Sequence, residues 1–233
     1  MKGIFYGIGV GPGDPELLTL KAINLIKRAD VIIAPKTEKK EESTALAIAK
    51  PHLNPETVVL DMVFPMVYNP DTLSDAWKSN RDIICGLVEE GKSVVFLTLG
   101  DPMLYSTYIY VFNLIKDSGC QIETVPGITS FCAIGSRLGF PLAEGNDVLS
   151  VIPATADDVV LDKALATADS VVLLKVNRNF DSLVGKLEAN GLLENAVMVT
   201  KCGHEDEEIV ADIRATGGQK VNYLSAIVTR RSK

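Results

Sequence analysis

The segment Gly7-Ile8-Gly9-Val10-Gly11-Pro12-Gly13-Asp14-Pro15 constrains this chain more than any other. It follows the apolar run Ile4-Phe5-Tyr6, so a first strand enters a glycine turn and leaves it into a helix carrying Leu17, Leu18 and Leu20. Glycines permit tight turning and let backbone N–H groups approach a ligand, and a helix N-terminus favours anionic groups. The spacing excludes a Rossmann fingerprint. After Gly7 and Gly9 the third glycine position holds Pro12, and after Gly9 and Gly11 it holds Asp14. The second strand, Val31-Ile32-Ile33-Ala34, runs into Pro35-Lys36 instead of the acidic residue that binds a ribose hydroxyl. There is no Walker loop, and two prolines stiffen the turn toward one particular ligand shape. Taken alone, the motif also fits a purely structural turn.

Two further strands end in the same manner. Ser93-Val94-Val95-Phe96-Leu97-Thr98-Leu99 runs into Gly100-Asp101-Pro102-Met103-Leu104-Tyr105-Ser106-Thr107, and Ile122-Glu123-Thr124-Val125 runs into Pro126-Gly127-Ile128-Thr129-Ser130. Ligands of open α/β sheets bind beyond the carboxyl ends of the strands, so the three loops are expected to share one crevice.

With these motifs together, the chain resembles the tetrapyrrole methylases, S-adenosylmethionine (SAM) enzymes of corrin and sirohaem synthesis. The resemblance extends to Val199-Thr200-Lys201-Cys202-Gly203 and Tyr223-Leu224-Ser225-Ala226-Ile227-Val228, and so covers essentially the whole chain. Residues 100–107 and 173–178 are most similar to the branch that methylates C20 of precorrin-2 or cobalt-factor II. The resemblance implies two α/β domains with SAM in the cleft between them, the class III methyltransferase architecture, and a homodimer. It places Pro12 at the cofactor loop, Gly100, Asp101 and Leu104 around the methionine portion, and Thr129 and Ser130 beside them. Leu174 or Lys175, Cys202 and Ala226 would approach the adenosine. Lys175 departs from the methionine-like residue of several relatives, which favours a role toward substrate carboxylates.

Composition narrows the partners. A net charge of −7 disfavours an extended nucleic-acid surface, which draws on clustered Lys and Arg. No apolar run approaches the length of a membrane span and no signal-peptide pattern is present, so a cytoplasmic protein is expected. Cys85, Cys120, Cys132 and Cys202 contain no C-x-x-C pair, which fits free thiols, and Cys202 with His204 is too small a set for a zinc shell; no metal is expected. Local cations remain at Lys36 to Lys40, at Lys175 with Arg178, and at Arg230-Arg231 with Lys233. The first two groups follow strands and suit substrate carboxylates; the third reads as a frayed tail.

Strands at 4–8, 30–34, 57–60 and 93–98 alternate with helices at 15–29, 43–50, 71–90 and 103–117, the pattern of a parallel, helix-covered sheet. The later segments, strands at 122–125, 147–152, 170–175, 196–200, 208–211 and 223–228 with helices at 127–138, 157–166 and 179–190, suggest a mixed sheet. The polar turn Asp117-Ser118-Gly119-Cys120 divides an N-terminal α/β domain, 1–118, from a C-terminal α/β domain, 119–233. The stretch from Val63 to Asp71 is a substrate-side loop or a linker.

Methyl transfer from a sulfonium to carbon is an in-line displacement, so the protein must orient two molecules and need not supply a nucleophile. The electron-rich meso carbon C20 can itself attack the methyl group, after which one proton leaves it. Tyr105, Tyr108 and His204 are the candidate acceptors, with Tyr105 also a candidate substrate contact; Tyr110 and Phe112 read as core residues. A class III methylase acting on another corrin carbon or on a protein, as diphthine synthase does, is the alternative. A non-catalytic nucleotide-binding module is a third reading.

Overall fold

A computed structural model describes residues 3–36, 43–65 and 75–232. The chain forms two compact units, Met1–Thr129 and Ser130–Lys233.

In the first unit, β1 (Ile4–Gly9), β2 (Val31–Lys36), β3 (Val58–Val63), β4 (Ser93–Thr98) and β5 (Gln121–Val125) form a parallel sheet in the order β3-β2-β4-β1-β5. The central strands are apolar on both faces because both are covered. α1 (Leu20–Ile26) and α2 (Thr44–Ala49) pack on one face with Ile8, Ile32 and Leu97. α3 (Asp75–Glu89) and α4 (Thr107–Ile115) pack on the other with Phe5, Phe96 and Tyr108. Each such side chain, fully buried, is worth about 1.5–3 kcal/mol of transfer free energy. β1 and β4 are neighbours whose connections depart to opposite faces, the arrangement that opens a crevice beyond strand ends.

Four expectations for this unit are corrected. The helix expected at 15–29 is broken: Asp14 caps a 3-10 turn, Pro15–Leu17, Leu18 is extended, and Thr19 caps α1 by accepting the Ala22 N–H. The helix expected from 103 starts at Thr107, because Pro102 and the left-handed Tyr105 (φ 49°) precede it. The domain division expected at 118 falls later, after Thr129. β5 pairs with β1 from Ile4 opposite Gln121, so the Gly119 turn is only the connection between α4 and β5. Of the stretch 63–71, residues 66–71 lie outside the described residues, as do residues 71–74 of the helix expected at 71–90 and Lys39 and Lys40. Lys36 pairs with Asp61 at 2.8 Å across β2 and β3. Tyr110, expected in the core, is exposed beside the Trp77 ring.

In the second unit, β6 (Leu149–Pro153), β7 (Ser170–Leu174), β8 (Val197–Thr200), β9 (Glu208–Val210) and β10 (Ser225–Arg230) form the expected mixed sheet, ordered β6-β7-β10-β8-β9. Only β6 and β7 are parallel. α6 (Asp158–Thr167) and α7 (Phe180–Ala189) cover one face; α5 (Ser130–Leu138) covers the other through Ile134, against Val172, Val199 and Ala226. Of the supposed frayed tail, Arg230 and Arg231 are instead anchored, and Lys233 lies outside the described residues. Arg230 pairs with Glu144 and Asp147, and Arg231 donates to the carbonyls of Leu165, Ala166, Ala168 and Asn190, the terminal acceptors of α6 and α7.

Candidate functional site

The loops after β1, β4 and β5 meet backbone to backbone. Gly11 donates to the Gly100 carbonyl at 3.3 Å and Gly100 donates back to the Gly11 carbonyl at 2.8 Å, a single antiparallel bridge between two loops. Both glycines have positive φ, 79° and 68°. A Cβ on Gly9 would lie 2.5 Å from the Gly100 carbonyl oxygen and 2.6 Å from the Gly127 nitrogen; one on Gly127 would lie 2.1 Å from that same oxygen. Three loops can approach this closely only where no side chain intervenes. On the same face of β1, a Cβ on Gly7 would enter the Tyr108 ring at 2.1 Å. Gly7 and Gly9, two residues apart, thus leave the C-terminal end of that face of β1 without side chains. That period is the sequence signal for Gly9; Gly127 lies in a loop expected at the crevice, but its approach to Gly9 has no local signal.

Asp101 holds the loops in place. One carboxylate oxygen accepts the Met103 N–H at 2.8 Å and the other accepts the Gly127 N–H at 3.0 Å. It clasps the loop after β4 to the loop after β5. Around this clasp Pro12 is buried and Gly100 and Leu104 are half-buried. The Thr98 hydroxyl, at the buried end of β4, and the Thr129 hydroxyl are both buried and lack a hydrogen-bond partner. Buried hydroxyls of this kind are normally satisfied, so two of them flanking the loops suit a polar ligand. Thr98 was not singled out by its sequence, because a threonine ending a strand has no distinguishing neighbour pattern.

The aromatic candidates separate. Tyr105 is exposed, and its left-handed backbone is uncommon for an aromatic residue and found disproportionately at functional sites. Tyr108 is corrected: it is fully buried, its ring packs on Phe5 and Phe96, and its hydroxyl lies 2.7 Å from Thr124 Oγ1. Burial pushes that phenol up, and it is a core residue, not a proton acceptor.

In the second unit, Ala226 stands opposite Leu174 on one side and Val199 on the other. Leu174, Cys202 and Ala226 belong to one apolar cluster with Ile134 of α5, the helix that Ser130 begins. The turn after β8 is built on left-handed Lys201 and Gly203 and pinned by Glu207, which accepts the Gly203 N–H at 2.7 Å and the Arg137 guanidinium at 2.8 Å. Burial works against the Glu207 charge, but Arg137 and the Gly203 N–H outweigh it and hold the carboxyl below its usual range. Burial first, and Glu207 second, push the Cys202 thiol up to about 11. His204, a candidate acceptor, is half-buried and has a buried Nε2 without a hydrogen-bond partner, while its backbone links Lys201 to Glu207. Lys175, at φ 57°, directly follows β7, and Arg178 is exposed in the same turn. Among the described residues there is no group of three or more metal-ligating side chains, and no helix long and apolar enough to cross a membrane.

The description "Tetrapyrrole (Corrin/Porphyrin) Methylases" matches residues 5–216, spanning every loop described above. The chain belongs to this family. Among tetrapyrrole methylases it is 35% identical to the cobalt-precorrin-2 C(20)-methyltransferase of Salmonella typhimurium, over 99% of this chain and 98% of that protein. It is 32% identical to the precorrin-2 C(20)-methyltransferase of a Sinorhizobium species, over 85% of this chain and 84% of the other. The fold is that of the uroporphyrin-III C-methyltransferase of Thermus thermophilus in complex with S-adenosylhomocysteine, with a TM-score of 0.71 at 22% identity over 98% of this chain and 92% of that one. This is the class III methyltransferase fold of two α/β domains, not a Rossmann-type one.

Proposed function

We propose that this chain is a SAM-dependent methyltransferase that methylates C20 of the precorrin-2 ring, as the metal-free compound or its cobalt complex. The observation that carries the reading is the end-to-end likeness to the Salmonella enzyme, a cobalt-precorrin-2 C(20)-methyltransferase. The solved relative with S-adenosylhomocysteine supports SAM as donor, and the unpartnered Thr98 and Thr129 hydroxyls fit a polar cofactor.

When bound, SAM supplies an electrophilic methyl group; the protein's task is orientation. Gly9, Gly100 and Gly127 set the crevice wall by close backbone approach, and Asp101 positions them. Thr98 and Thr129 offer hydroxyls to the cofactor, with Pro12, Leu104 and Ser130 beside them. Leu174, Cys202 and Ala226 keep their assignment to the adenosine on the family likeness. Lys175 and Arg178 are assigned to the ring's carboxylates, for which charge-assisted contacts are the strongest available. Tyr105 and His204 remain the candidate acceptors of the C20 proton. A homodimer in the cytoplasm, with no nucleic-acid or membrane partner, completes the reading on the same likeness.

The test is SAM consumption under anaerobic conditions with precorrin-2, with its cobalt complex and with uroporphyrinogen III. Turnover with either of the first two and none with the third is expected. Turnover with the third alone, or with none of them, rejects the assignment.

A further inference from the structure

Two thiols lie apart from every residue assigned above. Cys85 sits in the second half of α3 and Cys120 immediately precedes β5; both are half-buried. Cys120 bears on the ionisation of Cys85. Both also lean on one hydroxyl: Cys85 Sγ lies 3.6 Å from Ser118 Oγ, and the Cys120 N–H donates to that same oxygen at 3.4 Å. Ser118 Oγ in turn donates to the Ile115 carbonyl at 2.6 Å, so the end of α4 fixes the hinge point of the pair. Both residues pack against the core that holds Phe5, Val94 and Ile115. Their location is informative. α3 ends just before β4 begins, and Cys120 stands just before β5, so the pair lies at the N-terminal ends of the parallel strands, opposite the candidate loops.

We propose that Cys85 and Cys120 form a dithiol site that takes low-molecular-weight disulfides and closes reversibly to an intramolecular disulfide. One protein thiolate attacks a sulfur of the small disulfide, forming a mixed disulfide and releasing one small thiolate. The second protein thiolate then displaces the other small thiolate. The Cys85–Cys120 bond forms, the two protein sulfurs lose two electrons, the reagent's S–S bond is reduced, and the two thiol protons go to the released thiolates. Two cysteines gathered on one hydroxyl need only a local rearrangement to reach the S–S separation of about 2 Å. Burial, above all, pushes the Cys85 thiol up, which slows its part in the exchange. The bond ties α3 to β5 at the end of the sheet away from the proposed cofactor loops.

The test uses the full reduced chain incubated with oxidised glutathione, quenched with N-ethylmaleimide and mapped by peptide mass spectrometry without reduction. A Cys85–Cys120 linked peptide pair, two maleimide-reactive thiols fewer and reversal by dithiothreitol are expected. In Cys85→Ser the partner thiol should instead retain a glutathione adduct. Stable glutathione adducts on both cysteines of the wild-type chain, a link involving Cys132 or Cys202, or no modification at Cys85 and Cys120 each overturns the proposal.

Discussion

At the scale of single residues, the glycines of the first strand and the aspartate after the fourth decide the local shape. Gly9→Ala places a methyl group 2.5 Å from a carbonyl oxygen that belongs to backbone and cannot rotate aside. We expect a loss of about 1–3 kcal/mol of stability, the usual cost of overpacking, together with weaker SAM binding. Urea denaturation and calorimetry check both, and a variant with wild-type stability would show that the loops are not in contact. Asp101→Ala leaves the Gly127 and Met103 N–H groups without their carboxylate, at a cost of about 2 kcal/mol for charge-assisted bonds in a part-buried setting. SAM affinity should fall with it; unchanged affinity in the folded variant reduces Asp101 to a turn former. Cys202, with its thiol held at about 11, should resist alkylation at neutral pH long after the exposed Cys132 has reacted. Equal rates of iodoacetamide labelling contradict that ordering. Asp101 shows what sequence discloses: its place between Gly100 and Pro102 announced a turn. The residue that it clasps, Gly127, is set by a strand pairing that no local pattern encodes. Tyr108 is the converse case, an aromatic next to a motif whose orientation depends on Gly7 making room for its ring.

At the scale of elements, the apolar strands and the alternation in the first half were readable because parallel strands buried on both faces are almost uninterrupted apolar runs. Helix starts were not. α1 and α4 begin later than their hydrophobic periodicity suggests because capping and left-handed residues override propensity in the first turn. The division between units was displaced for a similar reason: Gly119 has the look of a linker, yet the strand after it pairs with the first strand of the chain. The turn after β8 carries a pH prediction. The folded Glu207 carboxyl lies below its usual 4.5, so its contribution to stability is fully present above that value and is lost as pH falls through the lower folded one. Thermal melts of the wild type and Arg137→Ala should therefore differ near neutral pH and converge in acid. A difference that persists or grows in acid excludes the Arg137–Glu207 pair as its source.

At the scale of the whole molecule, 35% identity across nearly the full length of the Salmonella C20-methyltransferase is joined to three loops built for close backbone approach and to two buried hydroxyls without protein partners. Light scattering is expected to give the mass of a homodimer, and a monomeric mass at micromolar concentration contradicts that part of the reading. Lys175→Ala with Arg178→Ala should raise the apparent KM for the ring by roughly tenfold or more, from the loss of charge-assisted carboxylate contacts, with SAM affinity nearly unchanged. The reverse pattern moves Lys175 to the cofactor. The most direct measurement follows the transferred carbon. With SAM labelled with carbon-13 in its methyl group and precorrin-2 or its cobalt complex held under anaerobic conditions, the product's NMR spectrum should show one labelled methyl bonded to C20, with the meso proton of C20 gone. A labelled methyl on any other ring carbon, or a ring recovered unlabelled while the folded protein binds SAM, contradicts C20 methylation by this chain.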